Sequence, residues 1–142
     1  YAHNGLSLTS ALMTLREYKP NRLICVFGSI GGRTKGRRRE LAEAASALAD
    51  YCIITSDNPD FEPPEDIVNE IASYMSADCD YECILDRREA IFRAVEMSQK
   101  EDIVLFAGKG HETFQLIYGK KEPFIEREII LEACREFSPR PL

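Results

Sequence analysis

The chain has 142 residues, a net charge of −6, 44% hydrophobic and 30% charged residues, proportions that suit one globular domain spanning residues 1–142 around one core. The acidic balance argues against a general nucleic-acid binder, which wants a basic face. The longest apolar runs, such as residues 103–107, are too short to span a bilayer, and no signal-peptide pattern opens the chain.

Residues 5–18 place Leu8, Leu12 and Leu15 on one helical face. Residues 23–27 (LICVF) form an unbroken apolar run that predicts a buried strand, followed by the glycine-rich stretch GSIGGRTKG at 28–36. Residues 37–49 read as a helix and 51–55 as a second strand. Next comes TSDNPDFEPPED at 55–66, with three prolines and five acidic residues. Pro63-Pro64-Glu65-Asp66 opens a helix to about Met75, with proline and acids in its first turn. Residues 82–85 predict a short strand. Asp86 reads as the N-cap of a helix to about Gln99, with Glu89 completing a capping box. Residues 102–107 are another buried strand, running into GKGHE at 108–112. Residues 114–118 and 123–125, joined across 119–122, resemble a hairpin at a sheet edge, and a last helix covers roughly 126–136.

Strand–helix alternation with continuous apolar strands predicts an α/β, Rossmann-like three-layer domain. Its sheet has about six mostly parallel strands with an antiparallel edge, and helices cover both faces. Ligands bind such sheets beyond the carboxyl ends of the strands. The stretches GSIGGRTKG, SDNPDFEPP and GKGHE all fall there.

Glycines let successive N–H groups converge on an anion, and cations at a helix start oppose its macrodipole, so Arg37, Arg38 and Arg39 hint at an anionic partner. No Walker A loop can be fitted, and Gly108-Lys109-Gly110 is only half of a dinucleotide fingerprint. His111 is a candidate general base or an orienting hydrogen-bond group, with Lys109 beside it as another orienting candidate; no Ser or Cys nucleophile is spaced to match. Glu112 is either a solvated first-turn carboxylate or the partner of a cation. Asp57, Asp60 and Glu112 would together make an acidic pocket facing Arg33, a combination that suits a zwitterion such as an amino acid with an extra amine. Of the five cysteines, Cys25 and Cys52 sit in strand-like runs and read as buried thiols; reduced thiols point to the cytoplasm, and no metal site is expected.

In this order, YAHNGLSLTSALMTLREY, ICVFGSIGGRTKGRRR, ADYCIITSDNP, DRREAI and AGKGHETFQLI resemble the C-terminal domain of the Mur ligases. They are closest to the branch acting on UDP-N-acetylmuramoyl-L-alanyl-D-glutamate in peptidoglycan biosynthesis. The resemblance covers nearly the whole chain. It implies an ATP- and Mg²⁺-dependent, ADP-forming amide ligase of three domains, with the UDP-binding and central ATPase domains lying outside this chain. The partners would be UDP-MurNAc-dipeptide and a diamino acid.

The resemblance implies that Arg33 binds the amino acid's α-carboxylate. Asp57, Asn58, Pro59, Asp60, Gly108 and Glu112 would line the amino-acid pocket, and Tyr1, His3 and Asn4 would lie near the nucleotide. It also implies a chain cut at a domain boundary, no catalytic residue in this domain and no activity of the chain alone. A freestanding α/β anion- or nucleotide-binding module is the alternative. Family members that use meso-diaminopimelate carry Asp-Asn-Pro-Arg where this chain has Asp-Asn-Pro-Asp. By charge, Asp60 therefore favours L-lysine over meso-diaminopimelate.

Overall fold

The computed structural model describes residues 3–32 and 35–137, with the side chain of Lys35 excepted. Helix α1 (Gly5–Arg16) leads into strand β1 (Leu23–Phe27), then α2 (Lys35–Leu48), β2 (Tyr51–Ile54), α3 (Pro64–Ser73) and β3 (Asp80–Cys83). Helix α4 (Arg87–Met97), β4 (Ile103–Phe106), β5 (Phe114–Ile117), β6 (Lys120–Pro123) and α5 (Glu126–Phe137) complete the order.

Four strands form a parallel sheet in the order β3-β2-β1-β4, with Cys25 opposite both Cys52 and Leu105. Successive side chains of β1 point to opposite faces. Leu23, Cys25 and Phe27 meet Leu8 and Leu12 of α1, Leu41 and Ala45 of α2, and Ile67 and Ile71 of α3. Val26, with Ile53 of β2, meets Ala90 and Ala94 of α4, and α5 packs on α4, with Phe137 edge-on to Phe92. Helices thus cover both faces, as the alternation predicts.

The hairpin is the difference. β5 and β6 pair antiparallel as a separate two-stranded sheet rather than extending the main one. Its free edge is taken up by the loop after β2 instead of by β4. Leu116 N–H donates to Asn58 Oδ1 (3.0 Å), Asp60 N–H to Leu116 O (2.8 Å) and Tyr118 N–H to Asp60 O (2.8 Å). Its turn is shorter than the sequence suggests. Tyr118 (φ 50°) and Gly119 (φ 76°) are both left-handed, the geometry of a tight two-residue hairpin, so Lys120–Pro123 pairs as strand despite lacking an apolar pattern. β3 also lies two residues earlier than its apolar residues suggest.

Asp86 caps α4 as expected, accepting from Glu89 N–H at 3.1 Å. Asp102 clamps β4 to β1: its carboxylate takes Arg22 Nη2 (2.8 Å), Arg22 Nε (3.1 Å), Arg22 N–H (3.0 Å) and Gln99 N–H (2.8 Å). Burial pushes the Asp102 carboxyl up, but the Arg22 guanidinium and these N–H donors outweigh it and hold it below the ordinary 3.8. The unfolded chain therefore takes up the proton first as pH falls. The stabilisation is complete above 3.8 and disappears as pH drops through the lowered folded value. Asp102→Asn should cost about 1.5–3 kcal/mol at neutral pH and flatten the acid limb of a plot of urea midpoint against pH.

Candidate functional site

The loops leaving β1, β2 and β4 interlock at the carboxyl end of the sheet. Gly31 N–H donates to Asn58 O (2.8 Å), and a Cβ on Gly31 would sit 1.9 Å from Pro59 O. Gly108 has φ 111°, and a Cβ there would lie 2.8 Å from Asp57 Oδ2. Both positions require glycine, here for contact between loops.

Among the described residues, two N–H groups of the expected anion cradle are spent within the protein. Gly31 N–H is taken by Asn58, and Gly32 N–H donates to Glu62 Oε1 at 3.0 Å. Arg38, buried, grips Glu62 through two nitrogens (2.6 and 2.8 Å) and reaches Glu70 at 3.3 Å, while Arg39 pairs with Glu43 at 2.8 Å. The Glu62 hydrogen bonds hold the Arg38 pKa above its ordinary value. Two of the three arginines that hinted at an anionic partner thus find their anions on neighbouring elements. Arg33, the proposed carboxylate ligand, lies outside the described residues, as does Tyr1.

Lys109 holds the centre. It is fully buried, and its ammonium donates to Asn58 Oδ1 (2.6 Å) and Phe114 O (2.8 Å). It lies 3.5 Å from Asp57 Oδ1 and 3.7 Å from Glu112 Oε1. Burial lowers its pKa below 10.5, with Asp57 and Glu112 opposing. Asn58 relays between the loops, accepting from Lys109 and Leu116 N–H and donating its amide to Glu112 at 3.4 and 3.5 Å. Gln115 Nε2 donates to Asp57 O at 3.0 Å.

Asp57, Asn58, Pro59, Gly108, Lys109 and Glu112 therefore form one assembly, and two carboxylates against one ammonium leave it net negative. The Asp57 carboxylate is only 1% exposed, and neither oxygen has a hydrogen-bond donor among the described residues. His3 Nδ1 approaches it at 3.7 Å. Glu112 is the partly open carboxylate. Asn4 is occupied as the N-cap of α1, accepting from Ser7 N–H at 2.9 Å, and His111 is exposed.

Asp60 adopts the left-handed region (φ 52°), with Oδ1 accepting from Gly119 N–H at 2.6 Å. The carboxylate is a clasp on the hairpin turn rather than a free group. That weakens the expectation of L-lysine, which treated the carboxylate as a free charge facing the ligand.

Sequence reasoning assigned Lys109 only an orienting role, and it missed the Arg38–Glu62 clamp and a buried Arg87–Glu126 pair (2.5 Å) behind the loops. The same macrodipole reasoning that singled out Arg37–Arg39 applies to Arg87 at the start of α4.

Residues 1–110 match the family described as Mur ligase, glutamate ligase domain. The chain belongs to this family. It is 44% identical over 137 residues to the UDP-N-acetylmuramoyl-L-alanyl-D-glutamate--2,6-diaminopimelate ligase of Caldanaerobacter subterraneus subsp. tengcongensis, covering 96% of this chain and 28% of that one. It is 47% identical over 133 residues to the ligase 2 of the same description from Clostridium acetobutylicum, covering 93% and 28%. A solved structure of a UDP-N-acetylmuramoyl-L-alanyl-D-glutamate--2,6-diaminopimelate ligase superposes with a TM-score of 0.93 at 37% identity over 99% of this chain and 29% of that one. This Mur ligase chain thus spans less than a third of the length of those relatives.

Proposed function

We propose that the chain is the amino-acid-binding domain of an ATP-dependent ligase that joins 2,6-diaminopimelate to UDP-N-acetylmuramoyl-L-alanyl-D-glutamate in the cytoplasm. The relatives' names support the reaction and the amino acid. The observation that carries the reading in this chain is the net-negative assembly of Asp57, Glu112 and Lys109 at the carboxyl ends of β2 and β4. An ammonium supplied by a ligand would complete its charge balance. Glu112, oriented by Asn58 and Lys109, is the group through which that ammonium would be held.

In the reaction, the D-glutamate γ-carboxylate takes the terminal phosphoryl group of ATP. The incoming amine then displaces phosphate and forms the amide. This chain's residues bind and aim the amine donor. In this reading ATP and Mg²⁺ are held mainly by the central domain that the family resemblance implies.

L-Lysine is the second reading, favoured by the negative charge of Asp60. With the full-length enzyme, ATP, Mg²⁺ and the UDP-dipeptide, ADP release is expected to depend on added 2,6-diaminopimelate and to proceed faster with it than with L-lysine. Faster turnover with L-lysine selects the second reading, and ADP release that ignores both amino acids removes both.

A further inference from the structure

Arg87 is a cation that stability alone explains poorly. It is 1% exposed and opens α4, directly after the cap Asp86. A positive charge at a helix N-terminus opposes the macrodipole, and burying it carries a desolvation penalty. Replacing a buried ion pair with well-packed apolar groups is often neutral or stabilising, so the pair calls for another role.

Its three contacts supply one. Nε binds Glu126 Oε2 of α5 at 2.5 Å, Nη1 donates to Ser56 O at 3.1 Å, and Nη2 donates to Ala107 O at 2.9 Å. Ser56 directly precedes Asp57 and Ala107 directly precedes Gly108. The rigid guanidinium fork therefore fixes the two backbones from behind, one residue before each enters the site. The spacing it fixes is tight, since even a Cβ on Gly108 would stand 2.8 Å from Asp57 Oδ2. Lys109, next in line, bonds across the same gap to Asn58. Any splaying of the two loops would pull Lys109 from Asn58 and displace Glu112.

We propose that Arg87, anchored by Glu126, is a positioning residue for the amino-acid pocket, holding the loops after β2 and β4 at the separation the pocket needs. This rests on the ligase reading for its kinetic consequence, though not for its structural one.

The test uses the full-length enzyme with Arg87→Lys, which keeps the charge but not the fork, and Arg87→Met. In Arg87→Lys, amide hydrogen exchange over residues 56–60 and 107–112 is expected to rise about tenfold while α2 keeps its rate. The KM for 2,6-diaminopimelate should rise about fivefold or more with the KM for ATP within about twofold, and Arg87→Met should exceed both changes. A merely structural role would lower the melting temperature and the fraction of active enzyme and leave the amino-acid KM unmoved.

Unchanged loop exchange, or faster exchange with an unchanged amino-acid KM, overturns the proposal. Glu126→Gln, which leaves the guanidinium but weakens its anchor, should show the same pattern at smaller size and decides if neither Arg87 variant folds. If the wild-type enzyme joins no diamino acid, the ligase reading falls and the exchange rates alone decide the clamp.

Discussion

Lys109→Met is expected to destabilise this domain by about 3–5 kcal/mol, the range for removing one partner of a buried charge cluster. The ammonium is the nearest described cation to Asp57 Oδ1, at 3.5 Å, and that carboxylate has no compensating hydrogen bond among the described residues. Removing Lys109 also strips Phe114 O of a donor and leaves Asn58 Oδ1 with Leu116 N–H alone, and an acceptor left unpaired inside the protein costs roughly 1–3 kcal/mol. Met fills most of the volume, so the loss reports charge and hydrogen bonding rather than a cavity.

Urea unfolding of the chain measures the effect, and a double-mutant cycle apportions it. Adding Asp57→Asn to Lys109→Met should recover about 1 kcal/mol or more, because the stranded charge is then gone. A loss below about 1 kcal/mol for Lys109→Met would show that water reaches the cluster and screens it.

The pH dependence carries a second signature. Burial lowers the Lys109 pKa below the 10.5 of the unfolded chain. Between the two values the unfolded state holds more protons, so stability should rise with pH across that window. Lys109→Met should lack that rise.

Local pattern made much of this architecture legible. β1 begins and ends where its apolar run does, and Asp86 caps α4 as its spacing to Glu89 suggests. The rule that sites lie beyond the carboxyl ends of parallel strands placed the stretches SDNPDFEPP and GKGHE at one end of the sheet, where Asn58 meets Glu112 and Gly108 abuts Asp57. β3 and β6 were harder, because they are largely exposed and lack a buried face to pattern them. Charge partners were harder still. Arg38 finds Glu62 at a separation of 24 residues, Arg87 finds Glu126 at 39, and Asp60 finds Gly119 at 59. Composition can show that a cation stands at an unfavourable helix start. It cannot show whether the compensating anion comes from a ligand or from another element, and both Arg38 and Arg87 take theirs from within the fold.

Asp60 turns that distinction into an expected change of substrate preference. As a clasp it bonds Gly119 N–H at 2.6 Å; as a charge it lines a surface pocket with Gly31, Gly32, Phe61 and Glu62, next in the chain to the Asp57–Pro59 segment. Asp60→Asn separates the two roles, since Asn keeps an acceptor oxygen and tolerates the left-handed backbone at φ 52°. A ligand carboxylate about 4 Å away would feel roughly 4 kcal/mol of repulsion from Asp60 at an effective dielectric near 20. If a quarter survives solvation, removing the charge favours the distal carboxylate of 2,6-diaminopimelate by about 1 kcal/mol, while the ammonium that both ligands carry at that end is affected alike. The ratio of kcat/KM for diaminopimelate over L-lysine should therefore rise about fivefold in Asp60→Asn. Asp60→Arg should carry it further while losing the clasp, which melting temperature would register. A ratio that moves less than about twofold in Asp60→Asn, with the hairpin intact by hydrogen exchange, would mean that the carboxylate serves the turn alone and that diamino-acid choice lies elsewhere in the pocket.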